Sequence, residues 1–372
     1  MSFFYSMAST LDAEDVEVSR TRMCEEFAAV ADTDCGVAQC YLAENDWNVQ
    51  RALNSFFEAD MEKVFEAEWN SKQEPSTKEH KVEKKAPVAE SIDLTTDSPD
   101  SSRQSTKDDD GGSGLTIISW NVDGLDTENL LERARGLCSY LAEYTPDVVL
   151  LQELIPPYVQ YLKKRAVSYT IVQGGEDGYF TGMMLKKTRV KLLESQIVAY
   201  PTTKMMRNLL MAQVTLRGAT VWLMTSHLES CKAHSGERMT QLREVMRRMS
   251  EAPDDVSVVF AGDTNLRDFE VTAVGLPPAV CDVWERLGSR EHCRYTWDTR
   301  ANSNKNVRYA SRCRFDRIYL RPACRPNAPR LVPDHMALVG LEKLDCGRFT
   351  SDHWGIYCNF TTTTADDVTR PK

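Results

Sequence analysis

Val256-Ser257-Val258-Val259-Phe260-Ala261-Gly262-Asp263-Thr264-Asn265 passes from an almost wholly apolar run into small and polar residues that bring a carboxylate and an amide. A short, β-branched run bounded by a turn signal reads as a strand buried on both faces. The same grammar recurs along the chain. Leu115–Ser119 leads to Trp120-Asn121, Val148–Gln152 to Glu153, and Val221–Thr225 to Ser226-His227. Phe315–Leu320 is a further apolar strand, and Ser351-Asp352-His353 precedes a last one. Helical patterns over Asn129–Tyr144 and His234–Glu251 lie between, and this alternation predicts an α/β domain with helices covering its sheets. One strand end followed by Asp or Asn is often only a turn. Five polar strand ends in one chain are a constellation. No internal repeat is visible in the residues.

Outward from this core the chain changes character. Of 372 residues, 42% are hydrophobic, the proportion of an ordinary globular protein. No apolar run approaches the roughly 20 residues that cross a bilayer, so no membrane association is expected. Met1 to Thr10 lacks a basic start followed by an apolar stretch, which predicts no secretory signal and an intracellular protein. The 11 cysteines are scattered, none paired two residues apart, and read as buried thiols rather than a zinc site or a disulfide framework. Residues 1–113 hold 11 Lys+Arg against 25 Asp+Glu, whereas the remainder holds 34 against 30. The C-terminal part is therefore net basic even with its polar strand ends counted, which permits a polyanionic substrate.

Residues 1–18 read as a disordered start. Helical periodicity near Arg20–Val30, Gly36–Leu42 and Trp47–Phe57 then predicts a minimal three-helix domain over 19–61. The stretch Cys40-Tyr41-Leu42-Ala43-Glu44-Asn45-Asp46-Trp47-Asn48-Val49-Gln50-Arg51-Ala52-Leu53 resembles the second and third helices of a ubiquitin-associated domain. That resemblance implies the fold, with ubiquitin as candidate partner. The first loop, however, lacks the Met-Gly-aromatic sequence on which many members bind, and an unrelated partner stays open. Residues 62–113 are charged, acidic and poor in apolar residues, as in a disordered linker. Within them Ile92-Asp93-Leu94-Thr95, followed by Asp97, resembles a SUMO-interacting motif, and plain linker is the alternative. Residues 114–363 make the large domain, and 364–372 a tail.

The polar blocks together resemble the signature of the exonuclease-endonuclease-phosphatase superfamily, in which two stacked mixed β-sheets flanked by helices form a four-layered sandwich with the site across its top. The resemblance implies hydrolysis of a phosphate ester by activated water with a hard cation, Mg²⁺ with Mn²⁺ as substitute, held by one or two carboxylates. Glu153 resembles the direct metal ligand, with Asp352 and Asn121 beside it. Asp263 matches the residue that positions and deprotonates the water, and Asn265 one that orients water or phosphate. His353 and His227 would bracket the phosphate, and Asp316 would orient the terminal histidine. Internal ion pairing of Asp316 and a structural role for His227 are the bland readings.

Three blocks narrow the resemblance. Gly262-Asp263-Thr264-Asn265-Leu266-Arg267-Asp268, Ser226-His227-Leu228-Glu229-Ser230 and Ser351-Asp352-His353-Trp354-Gly355 are similar to the tyrosyl-DNA phosphodiesterases of the 5′-processing type. So is the order of small domain, acidic tether and catalytic domain. The implied substrate is a DNA 5′ end bearing a tyrosyl or peptide remnant of topoisomerase II, and the implied product a 5′ phosphate. Trp297, Tyr179 and Phe315 would line its groove, Arg267 would contact a phosphate, and Ser230 would donate to one. Nuclear residence, with the cytoplasm as second compartment, follows from that substrate alone. Apurinic endonucleases and inositol-polyphosphate phosphatases share the superfamily blocks. A ubiquitin-binding adaptor with a non-catalytic DNA-binding domain is the alternative of another class.

Overall fold

The computed structural model describes residues 18–31, 35–44, 47–49, 52–53 and 114–363, the last span without 306, 308 and 309. The linker with residues 92–95, the tail 364–372 and most of the third expected helix lie outside the described residues. Helices at 18–31 and Cys35–Glu44 bury Cys24, Phe27, Ala31, Ala38 and Leu42 with Ala52 and Leu53 in a small core of their own. Arg20 lies over the Trp47 ring, 4.4 Å from its centre. Leu125 and Met206 of the large domain pack against this small core.

Among the described residues, fourteen strands follow in the large domain. They are β1 (Leu115–Asn121), β2 (Val148–Leu154), β3 (Tyr169–Gln173), β4 (Phe180–Lys186), β5 (Val190–Ala199), β6 (Asn208–Leu216), β7 (Ala219–Ser226), β8 (Ser257–Asp263), β9 (Cys281–Asp282), β10 (Trp297–Asp298), β11 (Arg312–Cys313), β12 (Asp316–Arg321), β13 (Arg330–Val339) and β14 (Gly355–Thr363). One six-stranded sheet has the order β13-β14-β1-β2-β4-β3, the other β5-β6-β7-β8-β12-β9, and β10 pairs with β11 alone. Both large sheets are mixed, because each has one parallel pair at its centre, β1 with β2 and β7 with β8, and antiparallel neighbours around it.

Period-two alternation sorts the central strands into layers. Ile117, Leu150, Val259 and Ala261 point between the sheets, where they meet Leu210, Leu223, Ile318, Ile356 and Phe360. Their neighbours Ile118, Trp120, Val149 and Leu151 face outward under helices Leu130–Tyr144 and Pro156–Arg165. Val258 and Phe260 do the same under helix Ser235–Glu251. Both faces are covered, which is why these strands read as unbroken apolar runs. The edge strands read differently. Along β5 most side chains are exposed or half-buried, and no apolar run marks it.

Each parallel pair is the strand–helix–strand crossover that parallel pairing requires. The two units are built alike despite unlike sequences. In each, the fourth residue of the crossover helix is a fully buried arginine, Arg133 in one and Arg238 in the other. Arg133 donates to the carbonyls of Val122, Asp123, Asp126, Glu128 and Thr350. Arg238 donates to those of Glu229, Ser230 and Cys231, and pairs with the buried Glu270 at 2.6 Å. A guanidinium supplies five donors in a fixed fork, enough to satisfy carbonyls that leave a strand end without partners. Replacing Arg238 with Met would leave Glu270 a buried unpaired charge and should cost about 3–5 kcal/mol of stability. Urea unfolding against the parent chain is the check, and an unchanged midpoint would refute it.

Candidate active site

The site lies at the carboxyl ends of the two parallel pairs. Backbone bonds continue each pair past the end of its first strand, from Val122 N–H to the Gln152 carbonyl (3.1 Å) and from Leu228 N–H to that of Asp263 (2.9 Å). Glycines let the chains approach there. A methyl at Gly124 would overlap the Glu153 carbonyl oxygen, and one at Gly262 that of Ser226. Glu153, Asn265 and Asp123 all hold left-handed backbone, with φ of 57°, 51° and 49°. Such strain in residues other than glycine gathers where function fixes a side chain's aim.

Asn121 joins the halves. Its amide nitrogen donates to Glu153 Oε1 (2.9 Å) in its own sheet and to Asp263 Oδ2 (3.0 Å) in the other. Its Oδ1 accepts the N–H of Asp123 (2.9 Å). Asp263 Oδ1 accepts the N–H of Asn265 (3.0 Å), whose side-chain amide donates to the Leu228 carbonyl (3.3 Å). Burial pushes the Asp263 carboxyl up to about 7, against the pull of His353.

The two histidines flanking Asp263 differ in charge. Arg207 Nη1 lies 2.8 Å from His227 Nδ1, and because a guanidinium only donates, that nitrogen is the acceptor. The proton of the neutral ring therefore sits on Nε2, 3.3 Å from Asp263 Oδ2. Burial, then Arg207 and His353, push this histidine's pKa well below the usual value. His353 Nδ1 meets Asp316 Oδ2 at 2.8 Å, and its Nε2 lies 3.8 Å from Asp263. Burial alone would favour its neutral ring, but Asp316, Asp263 and Asp352 outweigh it and hold the pKa well above the usual histidine value. One ring is an imidazole, the other an imidazolium.

Among the described residues, two groups of three place their ligand atoms within 4.8 Å of one another: Glu153, His227 and Asp263, and Asp263, Asp316 and His353. Asp316 and His353 satisfy each other as an ion pair. In the first group both His227 nitrogens are engaged, which leaves the oxygens of Glu153 and Asp263 as hard donors suited to a divalent cation. Asp352, expected beside Glu153, belongs to neither group and accepts a hydrogen bond from Trp297 Nε1 (3.2 Å).

The expected substrate residues gather at two places. Trp297 and Phe315 have ring centres 5.7 Å apart, Arg267 lies 5.2 Å over Phe315, and Phe315 is 6.5 Å from the His353 ring. Tyr179 instead faces His227 at 6.5 Å, and Ser230 Oγ accepts from Arg207 Nη2 (3.1 Å). Arg207 escaped the sequence reading. It lies 4.9 Å over the Tyr179 ring and shares with it a recess lined also by Phe180, Met206, Asn208 and His227. Nothing in Lys204-Met205-Met206-Arg207 marks it except a charge in a loop. Asp123 was missed too, although it stands two residues after Asn121.

Residues 118–353 match the endonuclease/exonuclease/phosphatase family, and residues 22–63 a UBA-like domain. Tyrosyl-DNA phosphodiesterase 2 of Danio rerio is 61% identical over 365 residues, 92% of this chain and 98% of that protein. The Homo sapiens protein of the same name is 53% identical over 348 residues, covering 92% of this chain and 93% of its own length. A crystal structure of D. rerio TDP2 complexed with single strand DNA product superposes with a TM-score of 0.66 at 71% identity, covering 67% of this chain and 99% of that one. Identity of this extent, over both the small and the large domain, shows that the chain belongs to the tyrosyl-DNA phosphodiesterase 2 family.

Proposed function

We propose that this chain is a DNA-repair phosphodiesterase that hydrolyses the 5′-phosphotyrosyl bond between a topoisomerase II remnant and DNA, leaving a 5′ phosphate. The carrying observation is Asp263, buried between a neutral and a cationic histidine and bridged by Asn121 to Glu153. Relatives named for this activity favour the tyrosyl substrate over the abasic or polyphosphate substrates of other superfamily members.

Asp263 has a proton affinity suited to accepting a proton from water near neutrality, and Asn265 shares its network and orients the same water. His353, kept charged by Asp316, donates to a phosphate oxygen as negative charge grows there, and His227 donates through Nε2 from the other side. Glu153, with Asp352, would hold Mg²⁺, or Mn²⁺ in its place. A bound divalent cation supplies Lewis acidity that neutralises the phosphate and the leaving tyrosyl oxygen. Trp297, Phe315 and Arg267 would take the DNA strand by stacking and a phosphate contact, while the Tyr179 and Arg207 recess takes the departing tyrosine. Ser230 lies within reach of the same recess. Ubiquitin is the candidate partner of the small domain, SUMO that of residues 92–95, and the nucleus the compartment where such DNA ends arise, with the cytoplasm second.

The test is an oligonucleotide bearing a 5′-phosphotyrosyl group, incubated with magnesium and again with a chelator. Tyrosine release that leaves a 5′ phosphate and stops with the chelator is expected. Cleavage instead of an internal abasic site or a phosphoinositide would keep the hydrolytic site and overturn the substrate.

A further inference from the structure

The loop that carries Arg207 is fastened to a buried carboxylate that the proposed chemistry does not use. Glu229 stands two residues after His227 and is fully buried, at 0% exposure. Its Oε1 accepts the N–H of Lys204 (2.7 Å), and its Oε2 accepts from Thr203 Oγ1 (2.8 Å) and Gln241 Nε2 (3.0 Å). None of these three donors is charged. A carboxylate buried without a cation is costly, and only a full set of donors makes it tolerable. Each donor is fixed in its direction. Gln241 Oε1 accepts the N–H of Glu229 (2.8 Å), so its NH₂ has to face the carboxylate. Thr203 Oγ1 accepts the N–H groups of Met205 (3.2 Å) and Arg207 (3.0 Å). A hydroxyl has two acceptor sites and one proton, so that proton goes to Glu229.

We propose that Glu229 and Thr203 are positioning residues, which set the irregular connection between β5 and β6 so that Arg207 reaches His227. The inference rests on the reading that His227 acts in the phosphotyrosyl reaction. The path is short. Glu229 fixes the Thr203 hydroxyl, and the hydroxyl fixes the main chain of Arg207. The guanidinium then meets His227 Nδ1 at 2.8 Å and Ser230 Oγ at 3.1 Å. The path closes on itself, because His227, Glu229 and Ser230 all follow the end of β7. Met206, inside the loop, holds left-handed backbone with φ of 57°, a conformation that persists only where its surroundings hold it. With the anchor gone, Arg207 loses its aim, and His227 can carry its proton on Nδ1 instead. Nε2 then has none to give to the phosphate.

The experiment is a double-mutant cycle on the full-length chain, read as kcat and KM for tyrosine release from a 5′-phosphotyrosyl oligonucleotide. Thr203→Val keeps the shape of a half-buried side chain and removes only its hydroxyl. It should lower kcat by about ten- to a hundredfold and leave KM within about threefold, as slight misplacement of a reacting group does. Thr203→Ser keeps the hydroxyl and should restore kcat to within about twofold of the parent chain. In an Arg207→Ala chain, Thr203→Val should cost less than about twofold more, because the path then leads nowhere. Glu229→Gln should slow the reaction in the same way, and the Thr203 series decides even where that variant fails to fold. Equal losses in the parent and Arg207→Ala backgrounds would mean a purely structural role and overturn the proposal. So would a Thr203→Ser chain as slow as Thr203→Val, or a Thr203→Val chain with unchanged kcat. A parent chain that releases no tyrosine would instead strike at the substrate reading, and the proposal would fall with it.

Discussion

Asp263→Asn should lower turnover of a 5′-phosphotyrosyl oligonucleotide by about 10³–10⁴-fold and leave the protein folded, the upper range of what a positioned general base contributes. The substitution is nearly isosteric. Its amide oxygen still accepts the N–H of Asn265, which Asp263 accepts at 3.0 Å. What disappears is a carboxylate whose burial has raised its proton affinity into the neutral range. An amide takes no proton from water at any useful pH. The new NH₂ also faces Asn121 Nδ2 and the protonated Nε2 of His227, where Asp263 Oδ2 accepted, so two local bonds turn repulsive. Single-turnover tyrosine release measures the effect, with near-ultraviolet circular dichroism and DNA affinity as controls. A loss below tenfold in a folded, DNA-binding variant would mean that another group takes the proton.

Glu153→Gln comes second in expected size, with activity at physiological magnesium down by about 10²–10³-fold and partly recovered at high magnesium. Lewis-acid neutralisation is worth several kcal/mol, and each 1.36 kcal/mol is about tenfold in rate. The glutamine oxygen still accepts from Asn121, so the bridge between the sheets survives. Only the charge that concentrates the cation is lost. The signature is therefore a rightward shift of the magnesium dependence, measured as kcat/KM against Mg²⁺ and as weaker Mn²⁺ binding. Full activity at ordinary magnesium would sink the assignment of Glu153 as metal ligand.

Much of this site was legible before any coordinates. Strands covered on both faces have to be continuous apolar runs, so β1, β2, β7 and β8 announce themselves, and a polar residue at their ends stands out against that background. Edge strands such as β5 carry no such contrast. Convergence is what a linear reading lacks. It places Glu153 and His227 on separate strand ends, whereas the fold sets Glu153 against His227 and Asp263 from the opposite sheet. The helix expected over His234–Glu251 begins at Ser235, just after a short 3₁₀ turn over Lys232–His234. Arg207 was invisible for another reason. It is a charge in an irregular loop, and its meaning lies in the imidazole it meets, not in its spacing from anything.

The Asn121 amide, with one hydrogen given to each sheet, makes the site a caliper on the sandwich. Its two bonds, 2.9 and 3.0 Å, tolerate little change in the gap between layers joined by side-chain packing and the Gln152–Thr225 hydrogen bond. Loss of volume at Leu150 or Val259, far from any reacting atom, would let the layers settle and slacken one jaw. Chemical competence in this fold is then a finer gauge of interior packing than melting is, and a substitution can silence the enzyme while the protein still passes as native.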